Sequence, residues 1–287
     1  MWEMLRRHPG IFMPSTKEPS FFVPETRKHP DTLETYVSLF SQAREDQRTG
    51  EASPSYLWSQ TAAARIAELR PDARIIAILR EPASFLRSLH LEFLNIHAET
   101  EKSFSKAMAL EARRAEGKSI PRNSTRPMFL PYSQHVRYVE QLRRFDAVFA
   151  PEQILVLIYE EYRADNAAAI GQVLRFLGVD AALDLAPVQS NPSHGIRNPR
   201  IDALVRSLYL GRGGVSRKGK QAIKALTTPA MRKRALAAQR SARVGRASPV
   251  DQELMLELRR RYRNEVIALS EYLGRDLLAL WGYDRLD

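Results

Sequence analysis

Cysteine is missing from this chain altogether, which excludes disulfides and thiolate chemistry and fits a reducing compartment. Also missing is any apolar run of roughly 18 residues, so no transmembrane helix is expected. The opening Met1-Trp-Glu-Met-Leu-Arg-Arg-His-Pro has an apolar run too short, and too broken by charge, for a signal peptide. No internal repeat is visible. The six histidines, His8, His29, His90, His97, His135 and His194, show no pairing or spacing of a metal site, and no clustered carboxylates supply one. No metal is therefore expected.

What is present is positive charge in one place. The 287 residues carry a net +11, with 44 Lys+Arg against 33 Asp+Glu. Between Arg197 and Arg246 stand 14 basic residues and one acid, Asp202, while the rest of the chain is close to neutral. That stretch has helical spacing and few large apolar residues. It reads either as a basic helical elaboration contacting an acidic polysaccharide or anionic membrane surface, or as a solvated insertion. A nucleic-acid partner is disfavoured, because Tyr209 is its one aromatic and such binders interleave aromatics with basic residues.

The hydrophobic pattern predicts alternating helices and buried strands, hence one α/β domain over residues 1–287. Met1 to Arg7 reads as a helix stopped by His8-Pro-Gly, and residues 11–24 as irregular or extended. Helices are expected over Thr61 to Leu69, Ser84 to His97, Ser103 to Glu116, Ser133 to Phe145, Ala164 to Leu177 and Asp251 to Leu273. Ile75 to Leu79 and Ile154 to Ile158 are apolar throughout, the pattern of parallel strands covered on both faces. Gly117 to Pro131 reads as a long loop of the substrate-contacting kind.

The most informative run is Ala73-Arg-Ile-Ile-Ala-Ile-Leu-Arg-Glu-Pro-Ala-Ser-Phe-Leu-Arg-Ser88. A strand ends in Arg80, a proline turn follows, and a helix begins that carries Ser88. Strand tips and helix N-termini of parallel sheets bind anions through backbone N–H groups and the helix dipole. An arginine fork and a hydroxyl there suit a phosphate; an ordinary βα turn is the alternative. His90, two residues after Ser88, reads as a helix-face residue rather than a base. In the proline-flanked run Lys17-Glu-Pro, Glu18 has the chemistry to accept a proton from a hydroxyl or amine, with Lys17 offsetting developing charge. A solvated ion pair is the plain alternative.

Taken in order, several segments resemble the sulfotransferases that use 3′-phosphoadenosine 5′-phosphosulfate, the group that includes heparan sulfate sulfotransferases and bacterial relatives. They are Leu5-Arg-Arg-His-Pro-Gly-Ile-Phe-Met-Pro, Lys17-Glu-Pro-Ser-Phe-Phe, Gly50-Glu-Ala-Ser-Pro-Ser-Tyr-Leu and Arg80-Glu-Pro with Ser88. Tyr138-Val-Glu-Gln-Leu, Ile154-Leu-Val-Leu-Ile-Tyr-Glu, Phe176-Leu-Gly-Val and Leu273-Gly-Arg-Asp-Leu with Trp281 complete the set. The resemblance implies a P-loop NTPase-like parallel sheet flanked by helices. It implies Arg80 and Ser88 on the donor's 3′-phosphate, Glu18 as catalytic base, Lys17 beside it, and Ser53 and Tyr56 on the acceptor side, where a structural turn is the other reading. The implied acceptor is a hydroxyl or amine, carbohydrate above all, and the implied compartment is the cytoplasm. The family's second arginine would fall at Phe85, so that role is not carried over; Arg87 stands two residues later.

The resemblance also implies a Gly- and Lys-containing 5′-phosphosulfate loop ahead of the first helix, preceded by a central strand, and no such pattern occurs here. Gly211-Arg-Gly-Gly and Arg217-Lys-Gly-Lys lack a preceding strand. Two explanations stand: a translation start that lies upstream, or a degenerate relative. A nucleotide-dependent kinase would need a Walker lysine with its Ser/Thr, neither of which is seen. A non-catalytic protein that binds acidic glycans through the basic segment remains the second reading.

Overall fold

The structure, a computed structural model, describes residues 1–24, 32–122, 124, 126–181 and 251–286, and the backbone alone for 194–196 and 244–246. Most of the basic segment 197–246, with its predicted helices, lies outside these residues. Its last three residues are extended rather than helical: β6 (Val244–Arg246) pairs antiparallel with β5 (His194–Ile196).

The chain divides into two compact units. The first comprises residues 1–85, 133–190 and 257–287, and the second residues 86–132 and 191–256.

The first unit holds two parallel strand pairs. β1 (Ile11–Phe12) pairs with β2 (Arg48–Thr49), in the register Ile11 to Arg48. β3 (Ile75–Leu79) pairs with β4 (Ile154–Ile158), in the register Ile75 to Ile154 through Leu79 to Ile158. No backbone ladder joins the two pairs among the described residues. β3 is therefore not covered as a central strand would be: Ile78 is 37% exposed.

Both pairs contribute to one apolar layer. Ile11 of β1 and Met13 just after it meet Leu157 of β4, with Val173 and Leu174 of α10 (Asn166–Leu177) and Met4 and Leu5 of α1 (Trp2–Leu5). Full burial of a side chain such as Val173 or Leu174 stabilises by about 1.5–3 kcal/mol. A second layer joins Ala62, Ala63 and Ile66 of α4 (Ala62–Leu69) to Phe145 of α8 (Tyr138–Asp146), and to Phe22, Val23 and Phe149. Helix α10 has defined ends. The Asp165 carboxylate accepts the Ala168 N–H at 2.9 Å, and Gly178 takes a left-handed φ of 68°. The Val179 N–H then reaches the Leu174 carbonyl at 3.1 Å, closing the C-terminus.

Smaller elements complete this unit: α2 (Leu33–Ser38), α3 (Ser55–Trp58) and α9 (Tyr159–Ala164). The predicted C-terminal helix is two, α11 (Gln252–Arg261) and α12 (Arg263–Leu273), parted at Tyr262 with φ −98° and ψ 12°. A short α13 (Leu277–Trp281) follows. Helix α5 (Pro82–Asn95) starts in the first unit and runs into the second.

In the second unit the predicted helix over 103–116 is also split, into α6 (Phe104–Ala109) and α7 (Glu111–Ala115). At Leu110 the N–H is shared between the Lys106 and Ala107 carbonyls, and the α-helical ladder stops there. The loop after Gly117 is anchored by Phe129 and Leu130, both buried.

Candidate active site

Arg80 follows the last residue of β3 and is half-buried. Its guanidinium carbon sits 4.8 Å from the centre of the Tyr159 ring, which restricts the side chain while leaving the charge in place. Its carbonyl accepts the Tyr138 hydroxyl at 2.8 Å, and burial pushes the Tyr138 phenol well above its ordinary pKa. Phe85 packs edge-on against that same tyrosine, with the ring centres 6.3 Å apart.

The N-terminus of α5 is not the anion cradle that its sequence suggests. Pro82 has no N–H to offer. The Ala83 and Ser84 N–H groups both donate to the Glu81 carboxylate, at 3.0 and 2.7 Å. Glu81 is 3% exposed and accepts the Tyr283 hydroxyl at 2.6 Å, with Arg259 at 3.7 Å. A carboxylate already satisfies the orphan donors and the helix dipole, so an anion at this strand tip has to be held by side chains. Sequence reasoning missed Glu81, although it stands inside the Arg80-Glu-Pro run. Ser88 is the seventh residue of α5 and half-buried.

The Lys17–Glu18 segment forms an exposed ion pair at 3.8 Å, with side chains 56% and 49% exposed. Its backbone is unusual. Glu18 and Ser20 have φ of 53° and 51°, the left-handed region that costs a non-glycine residue about 1–2 kcal/mol. Ser20 is held by its neighbours: its N–H donates to Ser53 Oγ at 2.9 Å, and Ser55 Oγ donates to Ser20 Oγ at 3.2 Å.

Ser53 and Tyr56, expected on the acceptor side, turn their hydroxyls inward. Ser53 Oγ donates to Glu51 Oε2 at 2.7 Å, and the Tyr56 hydroxyl donates to Glu51 Oε1. Tyr36 reaches the same oxygen at 3.5 Å. Burial, and then the Glu51 charge, raise the Tyr56 phenol far above its usual range. Glu51 stands inside the Gly50-Glu-Ala-Ser run, whose residue pattern signals no role for it.

The second unit contains a buried polar cluster of its own. Arg114 forks onto Glu99 at 2.6 and 2.9 Å, with both side chains at most 2% exposed. Burial alone would raise the Glu99 pKa, but Arg114 and the Glu101 and Thr100 N–H groups hold it below the usual carboxylate value. His90, 2% exposed, shares a hydrogen with Tyr132 at 2.9 Å through Nδ1 and meets the Lys102 carbonyl at 3.2 Å through Nε2. Both ring nitrogens are engaged, so His90 is a packed residue and not a base. Burial lowers its pKa from the ordinary 6.5.

A depressed histidine pKa means that the unfolded chain binds the extra proton first. The His90 contribution is therefore full above pH 6.5 and falls as pH drops through its folded value. The Glu99 contribution holds above its ordinary 4.5 and is lost below that, as pH falls through its depressed folded pKa. We predict that urea midpoints decline in two steps on acidification, and that His90→Gln removes the first step. An unchanged first step in that variant would assign it to another group.

Among the described residues no group of three or more His, Cys, Asp or Glu could hold a metal, and no helix is long and apolar enough to cross a membrane.

Residues 19–183 match the sequence model of the family described as "Sulfotransferase family". That range takes in Ser53, Tyr56, Arg80 and Ser88, and begins directly after Glu18. Human heparan sulfate glucosamine 3-O-sulfotransferase 6 is 29% identical over 180 residues, covering 62% of this chain and 47% of the relative. Human heparan sulfate glucosamine 3-O-sulfotransferase 3B1 is 27% identical over 177 residues, covering 62% and 42%. This chain thus spans less than half the length of these two relatives. Among solved structures, a sulfotransferase from Alicyclobacillus acidocaldarius superposes with a TM-score of 0.63 at 22% identity, covering 96% of this chain and 90% of that one. That likeness supports the P-loop NTPase-like α/β fold, and the family match spans more than half of the residues: the chain belongs to the sulfotransferase family.

Proposed function

We propose that this protein transfers a sulfuryl group from 3′-phosphoadenosine 5′-phosphosulfate to a hydroxyl or amine of an acceptor, with carbohydrate the favoured class. Family membership supports the reaction type, and the relatives named for heparan sulfate support the acceptor class. The acceptor heteroatom attacks sulfur, and the sulfur–oxygen bond to the phosphate breaks. Adenosine 3′,5′-bisphosphate leaves with that electron pair, and the acceptor proton passes to the Glu18 carboxylate. Lys17 offsets charge on the reacting oxygens. Arg80 and Ser88 hold the donor's 3′-phosphate, and binding energy at that remote group helps place the sulfuryl group for attack. Ser53 and Tyr56 serve the acceptor side through Glu51, to which both hydroxyls are committed.

The observation that carries the donor assignment is the capped α5 N-terminus. With Glu81 taking the Ala83 and Ser84 N–H groups and Arg259 standing beside that carboxylate, Arg80 is the arginine that the end of β3 itself delivers, over the Tyr159 ring. The test is calorimetric titration with adenosine 3′,5′-bisphosphate of this chain, of Arg80→Ala, and of a form extended upstream through the reading frame. Loss of a charged hydrogen-bond donor costs about 1.5–3 kcal/mol, so Arg80→Ala binds roughly 10–100-fold more weakly. Equal affinity in Arg80→Ala removes Arg80 from the site. No binding by either folded form, with or without the extension, would move the assignment to a non-catalytic protein that binds acidic glycans.

A further inference from the structure

We propose that Glu51 is a positioning residue for the Lys17–Glu18 segment, an inference that rests on the assignment of Glu18 as base. An ionised carboxylate only accepts hydrogen bonds. Every hydroxyl that meets Glu51 must therefore spend its proton on it: Ser53 at 2.7 Å, Tyr36 at 3.5 Å, and Tyr56. Ser53 is left with its lone pairs pointing away from Glu51, and one of them receives the Ser20 N–H at 2.9 Å. The direction of the whole chain of bonds follows from the charge at Glu51. With a neutral amide in its place, either Ser53 or Tyr56 would face an N–H and would have to reverse.

What this chain holds is strained backbone. Ser20 and Glu18 both sit at left-handed φ, and Ser20 Oγ also leans on the Glu18 carbonyl at 3.4 Å. Left-handed non-glycine residues persist where surrounding contacts over-determine them. The aromatic residues after Ser20 secure the other side: Phe21 stacks on Tyr36 at 4.3 Å, and Phe22 meets Tyr56 edge-on at 5.6 Å. The two tyrosines that grip Glu51 thus also grip the segment that carries the base. None of these contacts touches the reacting atoms, which is why the role is one of positioning.

The test compares Glu51→Gln with the wild-type full chain in two readouts. Amide hydrogen exchange is followed at Ser20. Transfer is followed with labelled 3′-phosphoadenosine 5′-phosphosulfate and heparan sulfate as the probe acceptor. Glu51→Gln is expected to speed Ser20 exchange and to lower kcat by about tenfold or more, with the donor KM unchanged, as for misplacement of a catalytic group. In a Glu18→Gln background the same substitution is expected to cost nothing further, because the group being positioned is already gone. Ser53→Ala, which deletes only the relay hydroxyl, should give the same pattern and guards against a folding defect in Glu51→Gln. Unchanged Ser20 exchange, or an equal loss of kcat with and without Glu18, overturns the proposal. A wild-type chain that transfers nothing would instead strike at the sulfuryl-transfer assignment, while exchange at Ser20 would still decide whether Glu51 holds the segment.

Discussion

Glu18→Ala is expected to lower sulfuryl transfer by about 10²–10⁴-fold, the range for loss of a general base, while adenosine 3′,5′-bisphosphate binds almost as before. Binding survives under the proposed assignment, in which Arg80 and Ser88 hold the donor's 3′-phosphate from different elements than Glu18. Stability should barely move. The Lys17–Glu18 pair is solvent-exposed at 3.8 Å, and such pairs contribute about 0–1 kcal/mol. Glu18→Gly adds a useful control: at φ 53° glycine carries no side-chain strain, which offsets its greater freedom in the unfolded chain. That variant should fold as well as the wild type and be equally inactive. Transfer at the wild-type rate in either variant would show that the base lies elsewhere.

The second large effect is on stability. Arg114→Ala should destabilise the unit around α6 and α7 by about 3–5 kcal/mol, the cost of leaving a buried charge without its partner. The stranded group is Glu99, whose side chain is 0% exposed and whose carboxylate also accepts the Tyr132 hydroxyl at 3.3 Å. The double replacement Arg114→Met with Glu99→Gln should recover part of that loss, because it removes both charges together and the pair is coupled. Urea unfolding, with hydrogen exchange over residues 86–132 to locate the change, measures both. A loss below about 1 kcal/mol in Arg114→Ala would mean that water reaches Glu99. Such a clamp gives the long connection between β3 and β4 a fixed core without enlarging its apolar area.

The elements legible in the sequence are those that short-range patterns encode. β3 and β4 were readable because five consecutive apolar residues suit little else at that length. Helix α10 was readable from its amphipathic period and its end at Gly178. The split of the 103–116 helix at Leu110 was not readable, since no proline or glycine marks it. The coverage of β3 is not legible for a related reason: an apolar run reports a preference for burial, and Ile78 remains 37% exposed because burial also needs a neighbour on that side.

The candidate site divides along the same line. Arg80, Ser88, Lys17, Glu18, Ser53 and Tyr56 could be named from motif and residue chemistry, since each is a side chain with a type and a local context. Their surroundings could not. Glu81 receives Tyr283 from 202 positions away, and Glu160 receives the Trp281 indole N–H at 2.9 Å from 121 away. No local periodicity records a pairing at that distance. For the same reason the α5 N-terminus looked open in one dimension and is filled by a carboxylate in three, and Ser53 and Tyr56 looked outward and turn towards Glu51. Local propensity and hydrophobic pattern carry the class of fold and the parallel strands, and motif resemblance supplies the candidate side chains. Which donors and acceptors are already spent is settled by folding alone, because hydrogen bonds depend on direction and distance between groups that folding brings together.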